Sequence, residues 1–178
     1  DRGYRVLRLW ESQVEAQPGR YVRLIERAAK GKRMKSSAQA AMDALPRRTV
    51  AEFFAGIGLV RLALEREGWR VTFANDIDEK KRSIYARNFP EREDREAFRL
   101  EDIHRLSPDD IPTVALATAS FPCVDLSLAG ARKGLDAERS GAFWGFARLM
   151  REMGARRPPL LLIENVRGLL SSRGGADF

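Results

Sequence analysis

Only one cysteine and one histidine occur among the 178 residues. A single cysteine excludes an intramolecular disulfide, and the two residues together are too few for a structural zinc site. No apolar run is long enough to cross a bilayer, and no signal-peptide pattern opens the chain. Internal repeats and low-complexity tracts are also missing. A cytoplasmic protein without a membrane partner is the resulting expectation. The hydrophobic content of 44% and charged content of 32% are those of a globular chain with its own core.

The charge that is present is unevenly placed. Residues 1–48 carry 12 Lys/Arg against 5 Asp/Glu, while residues 49–178 carry 20 of each, so the whole net charge of +7 belongs to the first quarter. Such a segment suits a phosphate-rich partner or, equally, a solvated helix face. The chain opens on "DRGYRV" without Met and stops in the Gly-rich "GGADF", so a piece of something larger is expected.

"YRVLRLW" (4–10) alternates as a strand does, and a helical pattern runs from Pro18 to Gly31. "KSSAQAAMDALP" reads as a short helix capped by Ser36 or Ser37 and stopped before Pro46; residues 31–48 read as a basic linker. From Thr49 the rhythm changes. Strands are predicted over "TVAEFF", "WRVTFAN", "REAFRL", "TVALATA" and "PPLLLIEN", and helices over "LVRLALEREG", "DEKKRSIYARNF" and "SGAFWGFARLMREMG". Strands alternating with helices predict an α/β fold with a parallel sheet and helices on both faces.

In such a sheet, ligands bind beyond the carboxyl ends of the strands. The segments expected there are "FAGIG" (54–58), "NDID" (75–78), "EDI" (101–103), "FPC" (121–123) and "ENV" (164–166). Gly56 and Gly58 permit a tight turn and close ligand approach, and the following helix offers an N-terminus that favours negative charge. The third glycine of a dinucleotide fingerprint is absent, which disfavours a nicotinamide cofactor. Asp76 falls twenty residues after Gly56, where an acid can accept from ribose hydroxyls. It could equally cap a helix, as could Asp78. Asp102 could accept from an exocyclic adenine amine or be a surface acid. Together these loops suit an adenosine site without a pyrophosphate grip, as in S-adenosylmethionine.

Cys123 sits behind the rigid Pro122 at the same edge. It is either a buried hydrophobe or a nucleophile, and the latter needs a pKa below the free value of about 8.5. No histidine base is evident, since His104 reads as a loop residue. Glu164 follows "LLLI", expected to be a buried strand, so it caps a helix or is a carboxyl in a partly dry site with a raised pKa, able to donate to a ring nitrogen.

"EFFAGIG", "ANDID", "EDI", "SFPCVDLSLAG" and "LLIENVRGLL" resemble, in order and spacing, the first six motifs of the DNA cytosine-5 methyltransferases, over roughly residues 48–172. The resemblance implies a Rossmann-like S-adenosylmethionine-dependent methyltransferase fold, truncated before its last strands and target-recognition region, with residues 49–178 as an incomplete catalytic domain. It implies Cys123 as the nucleophile on C6 of a flipped cytosine and Glu164 as the contact to N3 and the amino group, supported by Asn165. Flipping is required because C6 is unreachable in a stacked duplex. It places Phe54, Gly56, Ile57, Gly58, Asp76, Ile77, Asp102, Ile103, Pro122 and Phe143 at cofactor-binding positions. Ser127, Arg132 and Lys133 become DNA-contact candidates in a mobile loop. Double-stranded DNA is the implied partner, in a protein expected to be monomeric and nucleoid-associated, from a bacterial restriction-modification or mismatch-repair-linked system; no metal is implied. A tRNA cytosine-5 methyltransferase and an inactive remnant are the alternatives. Leu59, Asp76, Val124 and Asp125 depart from the more usual family residues, and none removes a reacting group. Separately, "GYRVLRLWESQVEAQPGRYVRLIERA" resembles the C-terminal end of very-short-patch repair endonuclease-like domains, making residues 1–30 a nuclease-like remnant.

Overall fold

The computed structural model of the chain describes residues 48–91, 97–122 and 141–166. The strand and helices expected before residue 48, and with them the nuclease-like segment and the linker, lie outside the described residues.

Five strands form one sheet: β1 (Thr49–Phe53), β2 (Arg70–Asp76), β3 (Phe98–Leu100), β4 (Leu116–Ala119) and β5 (Leu160–Ile163). Their order is β3-β2-β1-β4-β5, and every neighbouring pair is parallel. Helices α1 (Leu59–Arg66), α2 (Glu79–Asn88) and α3 (Ala142–Glu152) fall between strands, as the alternation predicts. Because all strands run the same way, the five loops that follow them emerge at one edge. The chain leaves β1 toward β2 on one side and later returns to β4 on the other. That reversal opens a crevice beside the end of β1.

Side-chain alternation along the strands divides the core in two. Val50, Ala74 and Leu116 face a cluster with Leu64 of α1, Tyr85 of α2 and the adjoining Phe89 and Phe98. Ala51, Phe53, Phe73, Ala117 and Ala119 face Phe146, Leu149, Met150 and Met153 of α3 and its end. These last four recur at helical spacing, so α3 lays a single apolar stripe on the sheet. The register between β1 and β2 shifts after Val50, with Val50 opposite Val71 and Ala51 opposite Phe73. The shift leaves Thr72 as an extra residue in β2 and brings Phe53 level with Asn75. Asp78 caps α2 by accepting the N–H groups of Lys80 (2.8 Å) and Lys81 (3.2 Å).

Two 3-10 turns, Pro108–Asp110 and Gly154–Arg156, were not predicted from the alternation. They are joined by Arg156, which donates to the carbonyls of Pro108 and Ile111, both at 3.1 Å, and to Asp109 at 2.8 Å. One expectation needs correcting. "LLLI" is a half-buried strand, not a buried one, because the topology puts β5 outermost with β4 as its sole partner among the described residues.

The loop after β3 is pressed onto α3 where Gly145 lacks a side chain. A Cβ there would lie 2.7 Å from Ile103 Cγ2 and 3.1 Å from His104 Cε1. Gly145→Ala is expected to lower stability by about 1–3 kcal/mol, the usual range for overpacking. Urea unfolding checks this, and an unchanged midpoint would show that the loop yields.

Candidate cofactor and catalytic site

The turn after β1 is built from backbone conformations that few residues tolerate. Phe54 (φ 57°), Gly56 (φ 58°) and Gly58 (φ 87°) all lie in the left-handed region. The Gly58 N–H closes the turn onto the Ala55 carbonyl at 2.9 Å. The two glycines serve different ends. At Gly56 a Cβ would meet nothing nearer than 3.9 Å, so its backbone faces open space that a ligand can approach. At Gly58 a Cβ would lie 2.3 Å from Phe89 Cε2, so this glycine lets an aromatic ring pack against the start of α1. Ile57 projects between them, exposed.

Asp76 ends β2 beside this turn and is 5% exposed. Its carboxylate accepts two backbone N–H groups, Gly56 at 2.8 Å on Oδ2 and Asp78 at 3.0 Å on Oδ1. It therefore does not cap α2, a task left to Asp78. The adjoining Ile77 is 67% exposed at the rim. Asn75, which sequence reasoning had grouped with these acids without a role, is buried, and its Nδ2 donates to the carbonyls of Arg99 (3.0 Å) and Glu101 (2.8 Å). It ties the loop after β3 to β2. In that loop Asp102 is half-buried and accepts the His104 N–H at 2.9 Å. Ile103 is different: its side chain belongs to the core under α3 and only its backbone belongs to the loop. Arg148 of α3 holds the same loop from below through the carbonyls of Ile103, His104 and Leu106.

Across the crevice, Phe121 is buried against Phe143, with ring centroids 5.2 Å apart, and Phe54 and Val166 complete this apolar floor. Pro122 is exposed. Cys123, Ser127, Arg132 and Lys133 lie outside the described residues. Asn165 connects the last two loops: its Nδ2 donates to the Phe121 carbonyl at 2.8 Å and its Oδ1 accepts the Val166 N–H at 2.9 Å. The Glu164 N–H continues the β4–β5 ladder onto the Ala119 carbonyl at 3.0 Å. The Glu164 side chain itself is exposed, not set in a partly dry site as expected, because it follows an edge strand that no described element covers.

The helix N-terminus after the glycine turn is also not as expected. One of its N–H groups, that of Arg61, is already taken from within. Glu52, on β1 and 2% exposed, accepts the Arg61 N–H on Oε1 at 3.2 Å and the Tyr85 hydroxyl on Oε2 at 3.4 Å. The Arg61 guanidinium donates to Tyr85 Oη (3.3 Å) and Glu65 (2.8 Å) and lies 4.0 Å from the centre of the Phe89 ring. Burial pushes the Glu52 carboxyl up to about 7, against the pull of the Arg61 N–H and charge and of the Tyr85 hydroxyl. Burial, and then the Glu52 charge, likewise raises the Tyr85 phenol. The signal in the sequence was one acid inside an otherwise apolar strand, "TVAEFF". The Arg61 N–H, one of the donors a pyrophosphate would use at this helix start, is thus already taken by Glu52.

Among the described residues no group of three or more His, Cys, Asp or Glu could hold a metal ion, and no helix is long and apolar enough to cross a membrane. A parallel sheet with a two-glycine turn after β1, an acid ending β2 and Asn-tied loops after β4 and β5 is a Rossmann-like methyltransferase fold. Residues 48–178 match the family model described as C-5 cytosine-specific DNA methylase, and the chain belongs to that family. It is 32% identical to Type II methyltransferase M.Bsp6I of Bacillus sp. (strain RFL6), over 72% of this chain and 39% of that protein. It is also 32% identical to Type II methyltransferase M.HhaI of Haemophilus parahaemolyticus, over 70% of this chain and 35% of that protein. Among solved structures, the Dnmt2 methyltransferase of S. pombe superposes with a TM-score of 0.56 at 27% identity, over 74% of this chain and 40% of that one. The chain thus spans well under half the length of the relatives it matches.

Glu52 makes stability depend on pH in a direction opposite to that of a salt-bridged acid. Its pKa is raised on folding from 4.5 to about 7, so the native state binds a proton that the unfolded state releases. The contribution is complete below the unfolded value and is lost as pH rises through the folded one. Glu52→Gln, which mimics the protonated form, is expected to remove that loss, which is bounded at about 3 kcal/mol between the two limits. Thermal unfolding of both proteins across this range checks the slope; parallel curves would show that Glu52 titrates normally.

Proposed function

We propose that this chain is the cofactor-binding and catalytic portion of a DNA cytosine-5 methyltransferase, with Cys123 as nucleophile and Glu164 as the base-binding carboxyl. The observation that carries the reading is the Asn165 hydrogen bond to the Phe121 carbonyl at 2.8 Å. It fastens the loop bearing Glu164 to a position two residues before Cys123, at the sheet edge that also carries the glycine turn.

The residues around that turn fit S-adenosylmethionine. Gly56 leaves room above its backbone, and the exposed Ile57 and Ile77 offer apolar surface for an adenine face. Asp76 keeps a second lone pair on each oxygen for ribose hydroxyls, and Asp102 is placed for the adenine amine. Phe54 and Phe143 wall the methionine end, with Pro122 at the rim. When bound, S-adenosylmethionine supplies an electrophilic methyl group. The Cys123 thiolate adds to C6 of an extruded cytosine, and electron density moves toward C5 and N3. Glu164, hydrogen-bonded to N3 and the amino group, stabilises the charge arriving there. Once C5 carries the methyl, water takes the C5 proton, the C5–C6 double bond re-forms and the C6–S bond breaks, returning Cys123 as thiolate. Asn165 ties the Glu164 segment to Phe121, two residues before Cys123 in sequence, and Ser127, Arg132 and Lys133 would contact the phosphates.

The Type II names of the relatives support a bacterial restriction-modification setting. The nuclease-like segment at residues 1–30, joined through the basic linker, supports a link to mismatch repair, since deaminated 5-methylcytosine leaves T·G pairs.

The reading is tested by covalent trapping on duplex DNA containing 5-fluorocytosine, using the chain and the complete reading frame that contains it. A denaturation-resistant adduct is expected with the native residue and none with Cys123→Ala; Glu164→Gln should slow trapping by about 10²-fold or more. An adduct on RNA alone would move the substrate to RNA. No adduct on either nucleic acid, together with no calorimetric heat from S-adenosylmethionine, would reduce the chain to an inactive remnant.

A further inference from the structure

Among the described residues, Glu52 is the buried acid that the proposed reaction leaves without a task. It lies on β1 two residues before Phe54, beneath the turn that approaches the cofactor. Three connections run from it to that turn. Its Oε1 takes the Arg61 N–H in the first turn of α1, so the helix leaving the turn is fastened to the strand entering it. Its Oε2 takes the Tyr85 hydroxyl, which in turn accepts from Arg61 Nη1, so α2 is fastened to both. Finally, the Arg61 guanidinium covers the Phe89 ring, and that ring fills the space a side chain on Gly58 would need. The last two routes reach Gly58, which the Tyr85 and Phe89 rings flank, and the first reaches the helix that Gly58 opens.

We propose that Glu52 is a positioning residue for cofactor binding, fixing the Gly56–Gly58 turn through Arg61, Tyr85 and Phe89, and that its charged form holds the turn more tightly than its neutral form. The inference rests on the cofactor reading of that turn.

The titratable and charged groups that face Glu52 are Arg61 and Glu65 from α1 and Tyr85 from α2. Its neighbours in the sheet, Ala74 on β2 and Thr118 on β4, carry no charge. Ionised, Glu52 accepts two charge-assisted hydrogen bonds, from Arg61 N–H and Tyr85 O–H; protonated, it is a weaker acceptor and must place a proton of its own. Ionisation therefore has two consequences of opposite sign. It costs the fold stability, because the carboxyl is dry, and it tightens the turn. A residue that merely packs would move stability and ligand affinity in the same direction.

The test uses the ¹⁵N-labelled 178-residue chain, its Glu52→Gln variant and its Tyr85→Phe variant. Amide signals of Gly56, Gly58 and Arg61 are followed from about pH 5.5 to 8.5, a window that brackets the titration. The Arg61 amide is expected to shift through one transition near neutrality in the native chain and through none in Glu52→Gln. In Tyr85→Phe, which removes a hydrogen bond to the charged form, the transition should move to higher pH. In calorimetric titrations with S-adenosylhomocysteine, the native chain should bind about five- to tenfold more tightly than Glu52→Gln at the alkaline end, the difference between a charged and a neutral acceptor, and equally at the acidic end. Over the same alkaline range Glu52→Gln should unfold at the higher temperature. Equal affinities at the alkaline end, or an Arg61 amide that does not titrate, would overturn the proposal alone. If the native chain binds neither S-adenosylmethionine nor its demethylated product, the cofactor reading falls and this proposal falls with it.

Discussion

The hydrogen bond from Gly56 N–H to the Asp76 carboxylate, 2.8 Å long, is the constraint around which the functional edge is organised. A loop that must turn through left-handed conformations has few backbone partners of its own. Without an acceptor, its amide groups would face the crevice unpaired, at a cost of about 1–3 kcal/mol for each one buried. Asp76 meets that need from the neighbouring strand, and in doing so fixes how far the first loop stands from the second.

The same device recurs along the edge. Asn75 binds the loop after β3 to β2, and Asn165 binds the loop after β5 to the loop after β4. Backbone hydrogen bonding from Ser120 to Phe53 continues the central β1–β4 pairing past the strand ends. Adjacent loops are thus linked pair by pair, by one short polar side chain or by the ladder itself. An edge assembled in this way needs little reorganisation on meeting a ligand, which is where preorganised sites derive their advantage. Its electrostatics follow from the same residues. Asp76 and Asp102 stand at the crevice, and the Arg61 N–H in the first turn of α1 is taken by Glu52. The two acids favour cationic ligands.

Much of this was legible in the sequence. The switch from a basic lead to alternating strands and helices at Thr49 located the sheet, and those of the residues predicted at the strand ends that are described do fall along one edge. Their roles were harder to read. Asn75 was given no role and Gly58 was read as part of the cofactor turn, yet Asn75 ties two loops together and Gly58 makes room for a ring. The distinction depends on what lies across from each residue in space: two carbonyls for Asn75 and an aromatic ring for Gly58. β5 read as buried because "LLLI" is apolar throughout, and hydropathy does not distinguish a central strand from an outermost one. Glu52 was overlooked because a buried acid is conspicuous only once Arg61 and Tyr85, nine and thirty-three positions away, are seen to surround it. Cys123 was assigned through motif order alone and lies outside the described residues.

Phe54 carries a bulky ring on a backbone with φ of 57°, a conformation that costs most such residues on the order of 1–3 kcal/mol. Glycine would relieve that cost but would also delete a ring that packs both on Phe121 and on the cluster beneath α3. The ring's contacts outweigh the backbone's discomfort, so position 54 is held in an unfavourable conformation by its own packing. The first loop is thereby anchored to the floor of the crevice by an apolar contact as well as by Asp76.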